Sequence, residues 1–189
     1  VASVALADLK PADVLVVRST DVFGTLIELG DKLAGLPDYS HVAVVHHTDP
    51  AGTIWCIEGR PGGVGWRTAN TYLSSTLTIS NTDQPIAPEI RASICTEMRK
   101  MLGTPYDWDG IAGDALRDLH LPLLWSEKWG PRGLPPAQVV CSSFAAWLYA
   151  HFGLRYPSTS VMAHVEPADW AVFIESRAWL TPPSAGDAR

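Results

Sequence analysis

The chain has 189 residues, 47% hydrophobic and 18% charged, with 14 Lys plus Arg against 20 Asp plus Glu for a formal charge of −6. That length suits one domain whose core needs no metal or disulfide staple, and an acidic, evenly mixed chain lacks the basic stripe that nucleic acid requires. No apolar run reaches the ~18–20 residues of a membrane span, and three cysteines (Cys56, Cys95, Cys141) are too few, and odd in number, for a disulfide framework.

No internal repeat, heptad run or low-complexity tract interrupts the chain. Behind Pro11, the run Asp13-Val14-Leu15-Val16-Val17-Arg18 predicts a strand, and its lack of alternation predicts burial on both faces. Residues 21–34 carry apolar side chains at helical spacing, with Gly35 as a stop. Two strands follow at 41–46 and 53–58, joined by Thr48-Asp49-Pro50-Ala51-Gly52, whose Asp, Pro and Gly make a hairpin turn. Residues 62–67 predict a third strand of this meander, and 75–80 a fourth.

The second half reads as helical. Pro88-Glu89 opens a helix over 88–102 stopped by Gly103, and 112–119 predicts another. Residues 125–138, rich in Pro and Gly, predict a long loop. Cys141 to Phe152 predicts the clearest helix, stopped by Gly153, and 168–180 a terminal helix behind Pro167. Strands first and helices after predict an α+β domain over 1–180, with an antiparallel sheet of about five strands and a loose tail at 181–189.

Cys141 opens its helix, where the positive end of the macrodipole and free backbone N–H groups favour thiolate over thiol. The same N–H groups can receive an oxyanion as a carbonyl becomes tetrahedral. The competing role is packing, because Cys141, Phe144, Ala145, Leu148 and Phe152 form one apolar stripe. His41 begins an apolar strand, as a surface residue or as the imidazole base that activates a thiol. Glu58 ends the next strand, and the hairpin brings it towards His41. There it would hold the imidazole's tautomer, or else pair with Arg60 as an ordinary strand-end acid.

Tyr39-Ser40-His41-Val42-Ala43-Val44-Val45, Ile57-Glu58-Gly59 with Gly63-Val64, and Val139-Val140-Cys141-Ser142-Ser143-Phe144 together resemble the circularly permuted branch of the NlpC-type, papain-like cysteine hydrolases. The order His, polar residue, Cys is that of the permuted branch. Residues 11–18 resemble its opening Gly-Asp strand, with Ala12 in place of the glycine, and Gly103-Thr104-Pro105-Tyr106-Asp107 resembles its Gly-x-x-Tyr-Asp segment. Matching pieces run from about residue 11 to 153.

The resemblance implies a permuted papain-like fold in which Cys141 attacks a carbonyl, His41 carries the proton and Glu58 orients His41. It places the Tyr106 hydroxyl near the cysteine, with the Cys141 N–H in the oxyanion hole, while Asp107 caps a helix. The long stretch between Asp107 and Cys141, with Leu121 to Trp125 and Trp129, departs from the pattern; it either roofs the cleft or packs the loop to the body.

Other signals carry less. His41, His46, His47 and Asp49 suggest zinc, but strand alternation puts His41 and His47 on one face, about 20 Å apart, and His46 on the other. No metal and no cofactor is expected. The glycines of 59–65 lack the following Lys-Ser/Thr of a phosphate loop. Ser142 and Ser143, early in the helix, serve its free N–H groups, and Ser142 is also an oxyanion-side candidate. Cys56 and Cys95 read as core. Of eight tryptophans, Trp66, Trp108 and Trp125 are placed by the cleft, where they could stack a sugar or acyl group.

The resulting expectation is a cysteine hydrolase cleaving amides, with peptidoglycan fragments as the leading substrate class. Acyl transfer or deacylation of lipid or ester substrates is the alternative chemistry, and a non-catalytic binding module is the rival from another class. Val1 in place of methionine fits a processed start, so the lack of a visible signal peptide leaves the location unknown.

Overall fold

The computed structural model describes residues 8–18, 39–72, 78–108, 135–157, 162 and 165–180. These form an α+β fold. Five antiparallel strands, β1 (Val14–Val17), β2 (His41–Thr48), β3 (Ile54–Arg60), β4 (Gly63–Thr68) and β5 (Thr78–Ser80), lie in the order β4-β3-β2-β1-β5. Three helices are described: α1 (Pro88–Lys100), α2 (Cys141–His151) and α3 (Pro167–Glu175). None of the helices among the described residues is long and apolar enough to cross a membrane.

β1 lacks alternation because both its faces are covered. Val14 and Val16 join Val42, Val44, Ile57 and the residues of α2 in one cluster, while Leu15 and Val17 join Ala43, Val45, Cys56 and Tyr72 in a second cluster behind the sheet. Each large apolar side chain so buried contributes about 1.5–3 kcal/mol. In α2 every residue from Cys141 to Tyr149 is buried, so the apolar stripe seen in the sequence is part of a helix enclosed on all sides.

The β2–β3 hairpin is built as its turn residues require. Asp49 Oδ1 accepts from the Ala51 and Thr53 N–H groups, both at 2.9 Å, and Oδ2 from Trp55 Nε1 at 3.0 Å. Gly52 takes φ +83°. The register is Val44 opposite Ile57 and Val45 opposite Cys56, and it then shifts, so that His47 faces Trp55. His46 is the extra residue of this bulge.

The bulge corrects the expectation that His46 and His47 face opposite ways. One inserted residue breaks the two-residue period, and their Nδ1 atoms lie 2.9 Å apart. The terminal helix is also shorter than expected. It ends at Glu175, where Ser176 turns its hydroxyl onto the Val172 carbonyl at 2.6 Å and Arg177 takes φ +49°; a separate 3-10 turn covers Ala178–Leu180. The helices expected at 21–34 and 112–119, most of the loop over 125–138, residues 75–77 of the fourth predicted strand and the tail 181–189 lie outside the described residues.

Candidate active site

α2 starts at Cys141 because the chain arrives extended, with Val140 at φ −96° and ψ 169°. The Val140 N–H donates to Ser143 Oγ at 3.1 Å, so Ser143 closes the helix start. Behind it, Val139 N–H donates to the Pro105 carbonyl and Asp107 N–H to the Val139 carbonyl, each at 3.1 Å. This holds Tyr106 in a parallel bridge with Val139, two residues before Cys141.

The helix start rests against Gly59 on β3. A Cβ built there would stand 3.3 Å from the Cys141 nitrogen and from the Val140 carbonyl carbon. Gly63 has φ +105°, and its Cβ would meet the Thr104 carbonyl oxygen at 2.8 Å. Here Val64 exchanges 2.9 Å hydrogen bonds with Gly103 and Thr104, tying the segment before Tyr106 to β4. Both glycines are therefore spacing devices that let backbone approach backbone.

His41 begins β2, opposite Val17 of β1. Continuing the Val44–Ile57 register places Glu58 opposite Ala43 and diagonal to His41. His41 Nε2 lies 3.0 Å from Glu58 Oε2, and the imidazole is also a hydrogen-bond partner of the Cys141 sulfur. With Nε2 engaged by Glu58, Nδ1 is the nitrogen left for the sulfur. The Val42 backbone N–H is a further donor to that sulfur.

Glu58 is fully buried. It accepts hydrogen bonds from Arg60 Nε on Oε1 and from the Tyr72 hydroxyl on Oε2, and Arg67 Nε stands 3.6 Å from Oε1. The two roles weighed for Glu58, orienting His41 and pairing with Arg60, are thus both occupied at once.

The electrostatics follow from this arrangement. Burial alone would lower the His41 pKa, but the Cys141 sulfur and the Glu58 carboxylate hold its proton and push it up to about 10. Burial would raise the Cys141 thiol, yet the His41 charge, its hydrogen bond and the Val42 N–H bring it below its ordinary value; Glu58 opposes them. Burial likewise works against the Glu58 anion, and His41, Arg60 and Tyr72 outweigh it, so that carboxyl is also lowered. All three shifts act in one direction, towards a thiolate beside an imidazolium, backed by a carboxylate.

The other candidates fall elsewhere. Ser142 is buried, and its carbonyl accepts from Trp170 Nε1 at 3.1 Å. Trp66 packs edge-on against His46, with ring centroids 4.8 Å apart, and also meets His47 and Trp55. That cluster lies five residues along β2 from His41, roughly 16 Å of strand, which removes Trp66 from the cleft position expected of it. Trp108 stands exposed against Tyr106, and Trp125 lies outside the described residues. Among the described residues no group of three metal-ligating side chains occurs.

Sequence reasoning missed Tyr72. It sits in a 3-10 turn (Ala69–Tyr72) after β4, and nothing in the local pattern links it to Glu58, 14 residues earlier. Compared with known proteins, the chain matches no family model and no curated protein.

Proposed function

We propose that the chain is a cysteine hydrolase with a circularly permuted papain-like arrangement, cleaving amide bonds in bacterial cell-wall peptides. One observation carries this reading: a sulfur at a helix N-terminus, an imidazole and a buried carboxylate stand in one hydrogen-bonded line. A core cysteine needs no such partners. The substrate class rests on the resemblance of the three motif segments to cell-wall hydrolases.

In this reading the Cys141 thiolate attacks the amide carbonyl carbon, and the resulting oxyanion is received by the Cys141 N–H at the helix start. His41 gives its proton to the departing amine as the tetrahedral intermediate collapses to a thioester. It then takes a proton from water, which attacks the thioester and releases the acid, restoring the thiolate beside the imidazolium. Glu58 keeps the imidazole oriented and stabilises its charged form.

The test is turnover of peptidoglycan fragments, and of short-chain acyl esters, by the wild type and Cys141→Ala. Amide cleavage that disappears in the variant while the melting temperature stays within a few degrees supports the reading. Turnover confined to esters moves the activity to deacylation. Absence of turnover with an ordinary, unreactive thiol leaves a binding module.

A further inference from the structure

The catalytic reading uses one side of Glu58; the other side is enclosed by residues that reading does not employ. Arg60 donates through Nε to Glu58 Oε1 and through Nη2 to the Tyr72 hydroxyl at 3.0 Å. Tyr72 in turn donates to Glu58 Oε2, the oxygen that also faces His41 Nε2. The Tyr72 ring lies 5.8 Å from the His41 ring and 5.9 Å below the Arg60 guanidinium carbon. Arg60 and Tyr72, bonded to each other, thus close a triangle with the buried carboxylate, and Tyr72 also meets the imidazole and the oxygen that faces it.

Building on the hydrolase reading, we propose that Arg60 and Tyr72 are positioning residues that keep Glu58 deprotonated and aimed at His41, and so decide which nitrogen of the neutral imidazole carries the proton. A fully buried carboxyl with no donors takes up a proton. A protonated Glu58 would donate to Nε2, which leaves the neutral ring's proton on Nδ1, pointing at the sulfur. That tautomer cannot accept a proton from Cys141. An anionic Glu58 instead accepts from Nε2–H and leaves Nδ1 free to accept it.

The groups facing this carboxyl are His41 from β2, Cys56 and Arg60 from its own strand, Arg67 from β4 and Tyr72 from the 3-10 turn, with Cys141 behind His41. Arg67 is half-exposed and makes no hydrogen bond to Glu58, so it supplies charge and not aim.

The experiment follows the alkylation rate of Cys141 by iodoacetamide across pH in the wild type, Tyr72→Phe, Glu58→Gln and the double variant. Tyr72→Phe should move the midpoint of thiolate formation upward by about one unit, because His41 in contact with Glu58 loses more support than the more distant sulfur gains. In the Glu58→Gln background the same substitution should add no further shift, since Tyr72 acts through Glu58. Arg60→Lys keeps the charge but loses the arm to Tyr72; it should shift the midpoint the same way and carries the test if Tyr72→Phe fails to fold. A depressed wild-type midpoint that neither substitution moves, or that moves equally in both backgrounds, overturns the positioning role alone. A wild-type midpoint in the ordinary thiol range overturns the nucleophile reading as well.

Discussion

Gly59 lies against the first peptide of α2, so close that a single methyl group on it would stand 3.3 Å from the Cys141 nitrogen. That nitrogen is the oxyanion donor of the proposed reaction, and the atoms around the missing methyl are backbone, which cannot rotate away. Gly59→Ala should therefore push the helix start off the sheet by a few tenths of an ångström. Overpacking of this kind costs roughly 1–3 kcal/mol, partly offset by the better strand propensity of alanine. The expected outcome is a drop of a few degrees in melting temperature together with a lower alkylation rate at Cys141. A variant as reactive and as stable as the wild type would show that the close approach is incidental.

The three cysteines should separate cleanly by reactivity. Burial, with Glu58 nearby, pushes the Cys56 thiol far up, and burial pushes Cys95 up to about 11, whereas His41 draws Cys141 down. Of the three, Cys141 is the one shifted towards thiolate, so brief iodoacetamide treatment near neutral pH followed by intact-mass measurement should give one adduct, mapped by digestion to Cys141. Its rate should fall only when pH drops below the ordinary thiol range. In His41→Ala the rate profile should move back towards that range, about 8.5. Labelling of Cys95 ahead of Cys141 would contradict the electrostatic ordering.

Much of this site could be read before any coordinates, and the reasons are local. The Asp49–Gly52 turn makes the hairpin that brings Glu58 towards His41, and the bulge at His46 sets the register that puts the two on one face. The unbroken apolar run of β1 announced a strand covered on both faces. The extended approach to Cys141 and the Ser143 hydroxyl two residues on marked a helix start. What escaped was either non-local or unmarked. The bulge at His46 carries no glycine to signal it, yet one extra residue reverses the facing of everything beyond it. Tyr72 reaches Glu58 only after the chain has folded back past β4, and the end of α3 is made by an arginine at positive φ, where a glycine would have been visible. Ala12 belongs to the same class: it takes φ +69° at the position where the resembling family has glycine, so the backbone demand remains while its sequence mark is gone.

Asp13 and Arg91 couple the sheet to α1. Asp13, fully buried ahead of β1, receives Arg91 Nη1 at 2.6 Å, the Lys10 N–H at 2.8 Å and the Thr82 hydroxyl at 3.0 Å. Arg91 also donates to the carbonyls of Pro11 and Ile86. Removing one partner leaves the other as an uncompensated buried charge, which costs on the order of 3–5 kcal/mol. Asp13→Ala should accordingly lower the urea midpoint sharply. The double variant Asp13→Ala with Arg91→Met should lose less than the sum of the two single losses. Strict additivity in that cycle would mean the two side chains stabilise the fold independently.

His46 gives the fold a sensitivity to acid that is separate from the Cys141–His41 pair. Burial, the Arg99 charge and His47 lower its pKa to about 4. Arg99 Nε donates to His46 Nε2 at 2.9 Å, so the neutral ring keeps its proton on Nδ1 and donates it to His47 Nδ1. Protonation of Nε2 would set a cation against Arg99. The folded value lies below the ordinary value near ~6.5, so the unfolded chain binds the proton first as pH falls. The contribution of neutral His46 is therefore complete above about 6.5 and is lost as pH drops towards 4. His46→Gln retains a polar side chain able to accept from Arg99 but cannot take up that proton. Plotted from pH 7 to pH 4, its melting temperature should fall less steeply than that of the wild type, by about one proton's worth of slope. Parallel curves for the two proteins would place the acid sensitivity in other groups.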